Sequence, residues 1–199
     1  HWEVTVEPLA DGLYDITAVV EDAAGNISAP SVTFVLVLDT LPPQRPTIDL
    51  LSGSDTGSAN VDNITFAIPQ EVRVSAEEGA TVVIKDGETV IDSFVMPAGG
   101  FTTRTLTLLD GPHPLSAEAT DAAGNRSAQS DELLLTVDTV APEPPSVPDL
   151  LPSSDSGPSL LDGITSVNPP AFQGTGEANA LVRIYADGVL IGQGVVGSD

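Results

Sequence analysis

The sequence predicts an all-β chain built from tandem two-sheet sandwiches joined by short proline-rich linkers. Three observations lead there. Short motifs recur about 100 residues apart, apolar residues alternate with polar ones at a period of two, and proline clusters break the pattern at a fixed register.

The repeat is carried by two sets of matches. Asp22-Ala23-Ala24-Gly25-Asn26 returns as Asp121-Ala122-Ala123-Gly124-Asn125, Asp39-Thr40 as Asp138-Thr139, and Asp11-Gly12 as Asp110-Gly111, each pair 99 residues apart. Ser54-Asp55-Thr56-Gly57 returns as Ser154-Asp155-Ser156-Gly157, Asp62 as Asp162, and Ile64-Thr65 as Ile164-Thr165, each 100 apart. One insertion or deletion separates the sets. A period near 100 residues suits a whole sandwich with its own core and is too long for a solenoid or propeller unit.

Alternation places the strands. Ile16, Ala18 and Val20 share one face, as do Val32, Phe34, Leu36 and Leu38. In the middle repeat Val72, Val74 and Ala76 alternate with Glu71, Arg73 and Ser75, and Leu115, Ala117 and Ala119 with Ser116 and Glu118. Leu133, Leu135 and Val137 form a further stripe. Such patterning reads as half-buried antiparallel strand. Asp86-Gly87 and Asp187-Gly188 stand between apolar runs and predict hairpin turns, because both residue types tolerate positive φ. Trp2 matches Phe101 by register, and both are expected in the core. His113 stands where the neighbouring repeat has Tyr14 and is expected as a strand residue.

Thr40-Leu41-Pro42-Pro43-Gln44-Arg45-Pro46 and Thr139-Val140-Ala141-Pro142-Glu143-Pro144-Pro145 cannot be central strands, since proline lacks a ladder donor and fixes φ. They read as linkers. The chain then divides into 1–39, the C-terminal part of a repeat; 40–138, a complete repeat; and 139–199, the N-terminal part of another.

The combination of Asp-Thr before a proline-rich link, then Ser-Asp-Ser/Thr-Gly, a later Asp, Ile-Thr and finally Asp-Ala-Ala-Gly-Asn resembles the bacterial immunoglobulin-like repeats of giant adhesins and biofilm-associated surface proteins. The resemblance covers nearly the whole chain. It implies an immunoglobulin-like sandwich, an extracellular or cell-surface location, calcium at domain junctions and a spacer role, with any adhesive domain elsewhere.

Calcium takes six to eight oxygen ligands in flexible geometry. The residues expected to supply them at the first junction are Asp39, Asp55, Asp62, Asp121 and Asn125, with Asp11 approaching from the other side. Asp110, Asp138, Asp155 and Asp162 repeat the set at the second junction. The competing reading is that these are turn and capping residues, whose side chains bond local backbone.

The net charge is −23, from 6 basic and 29 acidic residues. This repels nucleic acid and anionic membranes and attracts divalent cations. The 41% apolar content supports a core despite that charge. Cysteine is absent, so stability is expected from packing and metal. No apolar run reaches the ~20 residues of a membrane-crossing helix. Zinc spacings, a phosphate loop with lysine and a placed Ser-His-Asp set are all missing, and the two histidines are far apart, so no enzymatic activity is expected. The alternative function is a binding module for carbohydrate or a cellular partner through sandwich-end loops. The outer segments, each short of a whole repeat, lead to two further expectations. Either the chain is a stretch of a longer array, or molecules join head to tail by strand complementation.

Overall fold

A computed structural model describes residues 1–57, 59–159 and 162–198. Asp199, the last residue of the third expected segment, therefore lies outside the described residues, which contain strands and no helix.

The first segment carries β1 (Gly12–Ile16) and β2 (Phe34–Leu38), an antiparallel pair running from Gly12 opposite Leu38 to Ile16 opposite Phe34. The complete repeat follows with β3 (Thr47–Leu50), β4 (Ile64–Thr65), β5 (Gln70–Ser75), β6 (Thr81–Asp86), β7 (Thr89–Val95), β8 (Phe101–Leu106), β9 (Gly111–Thr120) and β10 (Leu133–Val137). The last segment adds β11 (Asp149–Leu150), β12 (Phe172–Gln173), β13 (Leu181–Ala186) and β14 (Val189–Val195), paired as β11–β12 and β13–β14. His1–Thr139 form one compact unit and Val140–Asp199 a second.

The complete repeat is a sandwich of a three-stranded sheet, β3-β5-β8, on a five-stranded sheet, β4-β10-β9-β6-β7. Its core takes the stripes that alternation marks. Val72, Val74, Val82, Ile84, Leu115 and Leu135 are all fully buried. Burying one such side chain contributes roughly 1.5–3 kcal/mol, and with no disulfide in the chain this packing holds the domain. All pairing is antiparallel except one contact. Between β3 and β5 the chain crosses from one sheet to the other, and β4 runs parallel to the end of β10, Ile64 beside Thr136 and Thr65 beside Val137.

Strand β9 contains Pro112 and Pro114 although it lies inside the larger sheet. The prolines fall in its first half, which pairs only with β10, while β6 pairs from Leu115 onward. No ladder partner is needed on their second side. The last half of β9 has β6 on one side and lacks β10 on the other. Two serines substitute there. Ser130 Oγ accepts from the Ala117 N–H at 2.9 Å and Ser127 Oγ from the Ala119 N–H at 3.0 Å. Their own N–H groups donate back to the Ala117 and Ala119 carbonyls.

Both hairpins form. Asp187 and Gly188 have φ of 51° and 81°, as a two-residue type I′ turn requires, whereas in the first hairpin Gly87 takes positive φ and Asp86 ends β6.

The core expectation fails for Trp2 and Phe101, which are 71% and 52% exposed. Phe101 sits on the outward phase of β8 with Thr103 and Thr105, and its ring is covered by the Arg73 guanidinium, 4.6 Å from the centroid. Trp2 belongs to a segment that forms no strand. Of the stripe Val32, Phe34, Leu36 and Leu38, the last three lie in β2, within a two-stranded sheet, and Phe34 stays 64% exposed.

Candidate functional site

Asp11 and Asp39 lie in the first segment, Asp155 and Asp162 in the last, and the other six expected ligands divide between the two poles of the complete repeat. Ten residues of β9 separate those poles by about 30 Å.

Asp121 and Asn125 lie in the loop between β9 and β10, at the pole where the first linker enters. Asp121 Oδ1 accepts from the N–H groups of Ala123 and Asn125, both at 2.9 Å, and Oδ2 accepts from Asn125 Nδ2 at 2.9 Å. Gly124 closes the turn with φ 94°. Asp22 makes the same bonds to Ala24 and Asn26 in the preceding segment. The Asn side chains, and after them the turn N–H groups, hold both carboxyls below the usual range. These oxygens serve their own turns. Asn125 Nδ2 also donates to the Asp39 carbonyl at 3.0 Å, which joins the end of β2 to this loop. Asp39 itself accepts from the Leu41 N–H at 3.0 Å. Arg45, in the linker, reaches the Gln129 carbonyl and the Asp131 carboxylate in the same region.

Asp11 and Asp110 fasten the starts of the two linkers. Asp11 Oδ1 accepts from the Thr40 N–H at 3.1 Å and the Thr40 hydroxyl at 3.0 Å. Asp110 does the same for Thr139, at 3.2 and 2.8 Å.

Asp55 and Asp62 belong with Asp138 and not with Asp39, which corrects the expected grouping. Their loop leads directly into β4, and the Asp138 N–H donates to the Thr65 carbonyl at 2.8 Å. The loop is bonded internally. The Thr65 hydroxyl donates to the Ser54 carbonyl, Ser54 Oγ accepts from the Glu71 N–H at 3.0 Å, and Asp62 Oδ1 accepts from the Ile64 N–H at 3.1 Å. Gly57 packs so tightly that a Cβ would stand 2.7 Å from the Ile64 carbonyl oxygen and 2.8 Å from Asp62 Oδ1. Any side chain at this motif position would force the loop open.

Within it Asp55 is only 6% exposed. Its Oδ2 accepts from the Asn63 N–H at 3.3 Å, while its buried Oδ1 has no hydrogen-bond partner. Asp155 repeats the pattern, with the same exposure and the same orphaned Oδ1. Ser154, Thr165, Asp162 and Gly157 recreate the surrounding bonds and close approach. An unpaired buried carboxylate oxygen is costly, and in both loops it has the chemistry to take a hard divalent cation. Asp62 and Asp162 carry the other carboxylate of each loop and accept from the Ile64 and Ile164 N–H groups. Among the described residues no group of three or more His, Cys, Asp or Glu side chains converges as a metal cluster.

Two features escaped the sequence reading. The serine pair of β9 has a visible signal, because Ser28 and Ser31 precede Ser127 and Ser130 by 99 residues and bond the Val20 and Ala18 N–H groups identically. Asp86, read only as a turn residue, also takes His113 Nδ1 at 2.6 Å.

The profile for bacterial Ig-like domains matches residues 42–139. The complete repeat belongs to that family. Among solved structures, a biofilm-associated protein BSP domain is 21% identical with a TM-score of 0.37, covering 67% of this chain and 20% of its own. Fibronectin(III)-like modules of Clostridium thermocellum CbhA are 18% identical with a TM-score of 0.39, covering 67% and 66%. This chain thus spans about a fifth of the first and two thirds of the second. No curated protein matches.

Proposed function

We propose that this chain is a stretch of mechanical spacer from a bacterial extracellular or cell-surface adhesin, without catalytic activity, in which calcium stiffens each repeat near its exit linker. The bacterial Ig-like family and the tandem repeat support the setting. The observation that carries the mechanical reading is the parallel pairing of β4 with β10.

Tension along an array enters a repeat through its first strands and leaves through the end of β10. Parallel neighbours pulled in opposite directions slide along one another. The bonds from the Thr136 N–H to the Asn63 carbonyl, 2.9 Å, and from the Asp138 N–H to the Thr65 carbonyl are then loaded together in shear. Each is worth only ~1 kcal/mol net, but shear asks them to break at once.

The acidic loop adjoins this clamp. Asn63 donates its N–H to Asp55 and offers its carbonyl to β10. Asp55 and Asp62 would hold the ion, which supplies the hard divalent charge that crowded carboxylates need. Asn63 transmits their restraint to β10.

Force spectroscopy on the chain held by its ends tests this. The complete repeat should unfold in one event that lengthens the chain by about 300 Å, the extended length of its residues less the folded span. Calcium should raise the unfolding force. Asp55→Asn keeps the acceptor for Asn63, removes the charge and should abolish that rise. Graded lengthening without a discrete event would end the clamp reading. Equal forces with calcium and with chelator would end the role of the ion alone.

A further inference from the structure

The two outer faces of the complete repeat use their polar side chains differently. On the five-stranded sheet they bond one another. Glu118 pairs with Lys85 and Arg126, and Gln129 donates to Ser116. On the three-stranded sheet the outward positions stand in rows, Thr47, Ser75 and Phe101 in one and Asp49, Arg73 and Thr103 in the next. Arg73 covers the Phe101 ring, and among the described residues its five N–H donors meet no protein acceptor, although Asp49 lies directly opposite in the ladder.

The repeat separates two kinds of position on this face. Thr47, Glu71, Thr103 and Thr105 give way to Val147, Ala171, Val4 and Val6 at the spacing of 99 or 100 residues. Asp49, Arg73, Ser75 and Phe101 become Asp149, Gln173, Thr175 and Trp2. Those four keep a carboxylate, a planar nitrogen donor, a hydroxyl and an aromatic ring. They are also contiguous. Phe101 is opposite Ser75, Ser75 is two residues from Arg73 on the same phase of β5, and Arg73 is opposite Asp49. Beside them lies a hollow of about 470 Å³ lined by Gln44, Thr47, Ser75, Glu77 and Gly100. Sites for small ligands span about 300–1,000 Å³.

We propose that this patch binds a neutral polysaccharide, with one sugar ring against Phe101, its hydroxyls bonded by Arg73, Asp49 and Ser75, and a neighbouring sugar in the hollow. Sugar hydroxyls donate and accept at once, and a guanidinium beside a carboxylate answers both needs with charge-assisted bonds. The C–H face of the sugar ring packs on the aromatic ring, which is half exposed. Charge decides against an anionic glycan, because Glu71 and Glu77 flank the patch and the chain carries −23. A protein partner needs a larger apolar centre than one ring. An open site of this size binds at about 1 mM, and repetition along an array raises the avidity. The site adds adhesion to the spacer role. It uses a sheet face instead of the sandwich-end loops and is separate from the acidic loop of Asp55.

Nuclear magnetic resonance titration of the full chain in chelator, so that calcium plays no part, tests this. The probes are uncharged oligosaccharides of glucose, galactose and N-acetylglucosamine, each up to about 20 mM, twenty times the expected dissociation constant. At least one should move the amides of Asp49, Arg73, Ser75 and Phe101 to saturation. Phe101→Ala and Arg73→Ala should each weaken binding about tenfold or more, while Lys85→Gln, on the other sheet, should leave it unchanged. Unmoved amides of Val82, Ile84 and Leu115 report that each variant keeps its core. An anionic polyuronate should bind more weakly than the neutral probe. No saturating shift with any neutral probe, shifts centred on the sandwich-end loops, unweakened Phe101→Ala and Arg73→Ala, loss of binding in Lys85→Gln, or tighter binding of the polyuronate would each overturn the proposal.

Discussion

His113 shows how one substitution gives a repeat a property that its neighbour lacks. Tyr14, 99 residues earlier, donates its hydroxyl to the Ala10 carbonyl at 2.6 Å. His113 keeps that role through Nε2, 2.8 Å from the Leu109 carbonyl, and turns Nδ1 toward Asp86 Oδ2. Two oxygen acceptors flank the ring, and the imidazolium, with a proton on each nitrogen, can donate to both. Burial opposes the charge, but the Asp86 hydrogen bond, the Leu109 carbonyl and the Asp86 charge together outweigh it, and His113 titrates above its ordinary value. A group with a raised folded pKa contributes stability that is complete below its unfolded value, about 6.5, and is lost as pH rises through the folded value. The melting temperature of the complete repeat should therefore fall as the pH rises above about 6.5 and through the raised folded value. His113→Tyr restores the neutral donor and should flatten the profile over that window. A wild-type profile already flat there would show that the pair adds nothing.

At the scale of elements, the last half of β9 depends on two side chains for hydrogen bonds that a strand would otherwise supply. Ser130 is 7% exposed, and the Ala117 N–H that it receives is buried. Ser130→Ala leaves that donor without a partner and should cost about 1–3 kcal/mol, read as a lower urea midpoint with an unchanged slope. Wherever one phase of a strand is apolar and the other polar, as in β5 and the last half of β9, the sequence marks the buried face correctly. Strand β8 carries threonine on both phases, Thr102 against Thr103 and Thr105, so it offers no such contrast and Phe101 was placed inward. The pole of the Asp55 loop was also hidden. Only two residues, Ile64 and Thr65, record the crossing between sheets, and a strand that short has no periodicity to read. The acidic residues themselves were legible as motifs. Their partners, such as Asn125 for Asp39 and His113 for Asp86, are set by contacts across 86 and 27 residues that no local pattern encodes.

For the whole molecule the dominant quantity is the charge of −23. Four of the six basic residues are engaged in ion pairs, Arg45 with Asp131, Lys85 and Arg126 with Glu118, and Arg104 with Asp92, so little cationic charge remains to offset the acidic surplus. A sandwich is about 30 Å from pole to pole. The Debye length is about 30 Å at 0.01 M salt, ~10 Å at 0.1 M and still shorter at higher salt. Successive acidic repeats therefore feel one another strongly at the low concentration and weakly at the high one, and repulsion along a chain extends it. In chelator, the maximum dimension from small-angle scattering should grow as salt is lowered from about 0.5 M to about 0.01 M. Calcium bound as proposed beside the exit linkers would neutralise carboxylates there, and saturating calcium should then reduce that growth. A maximum dimension unmoved by salt in chelator would mean that the linkers, held by Asp11 to Thr40 and Asp110 to Thr139, set the spacing without help from charge.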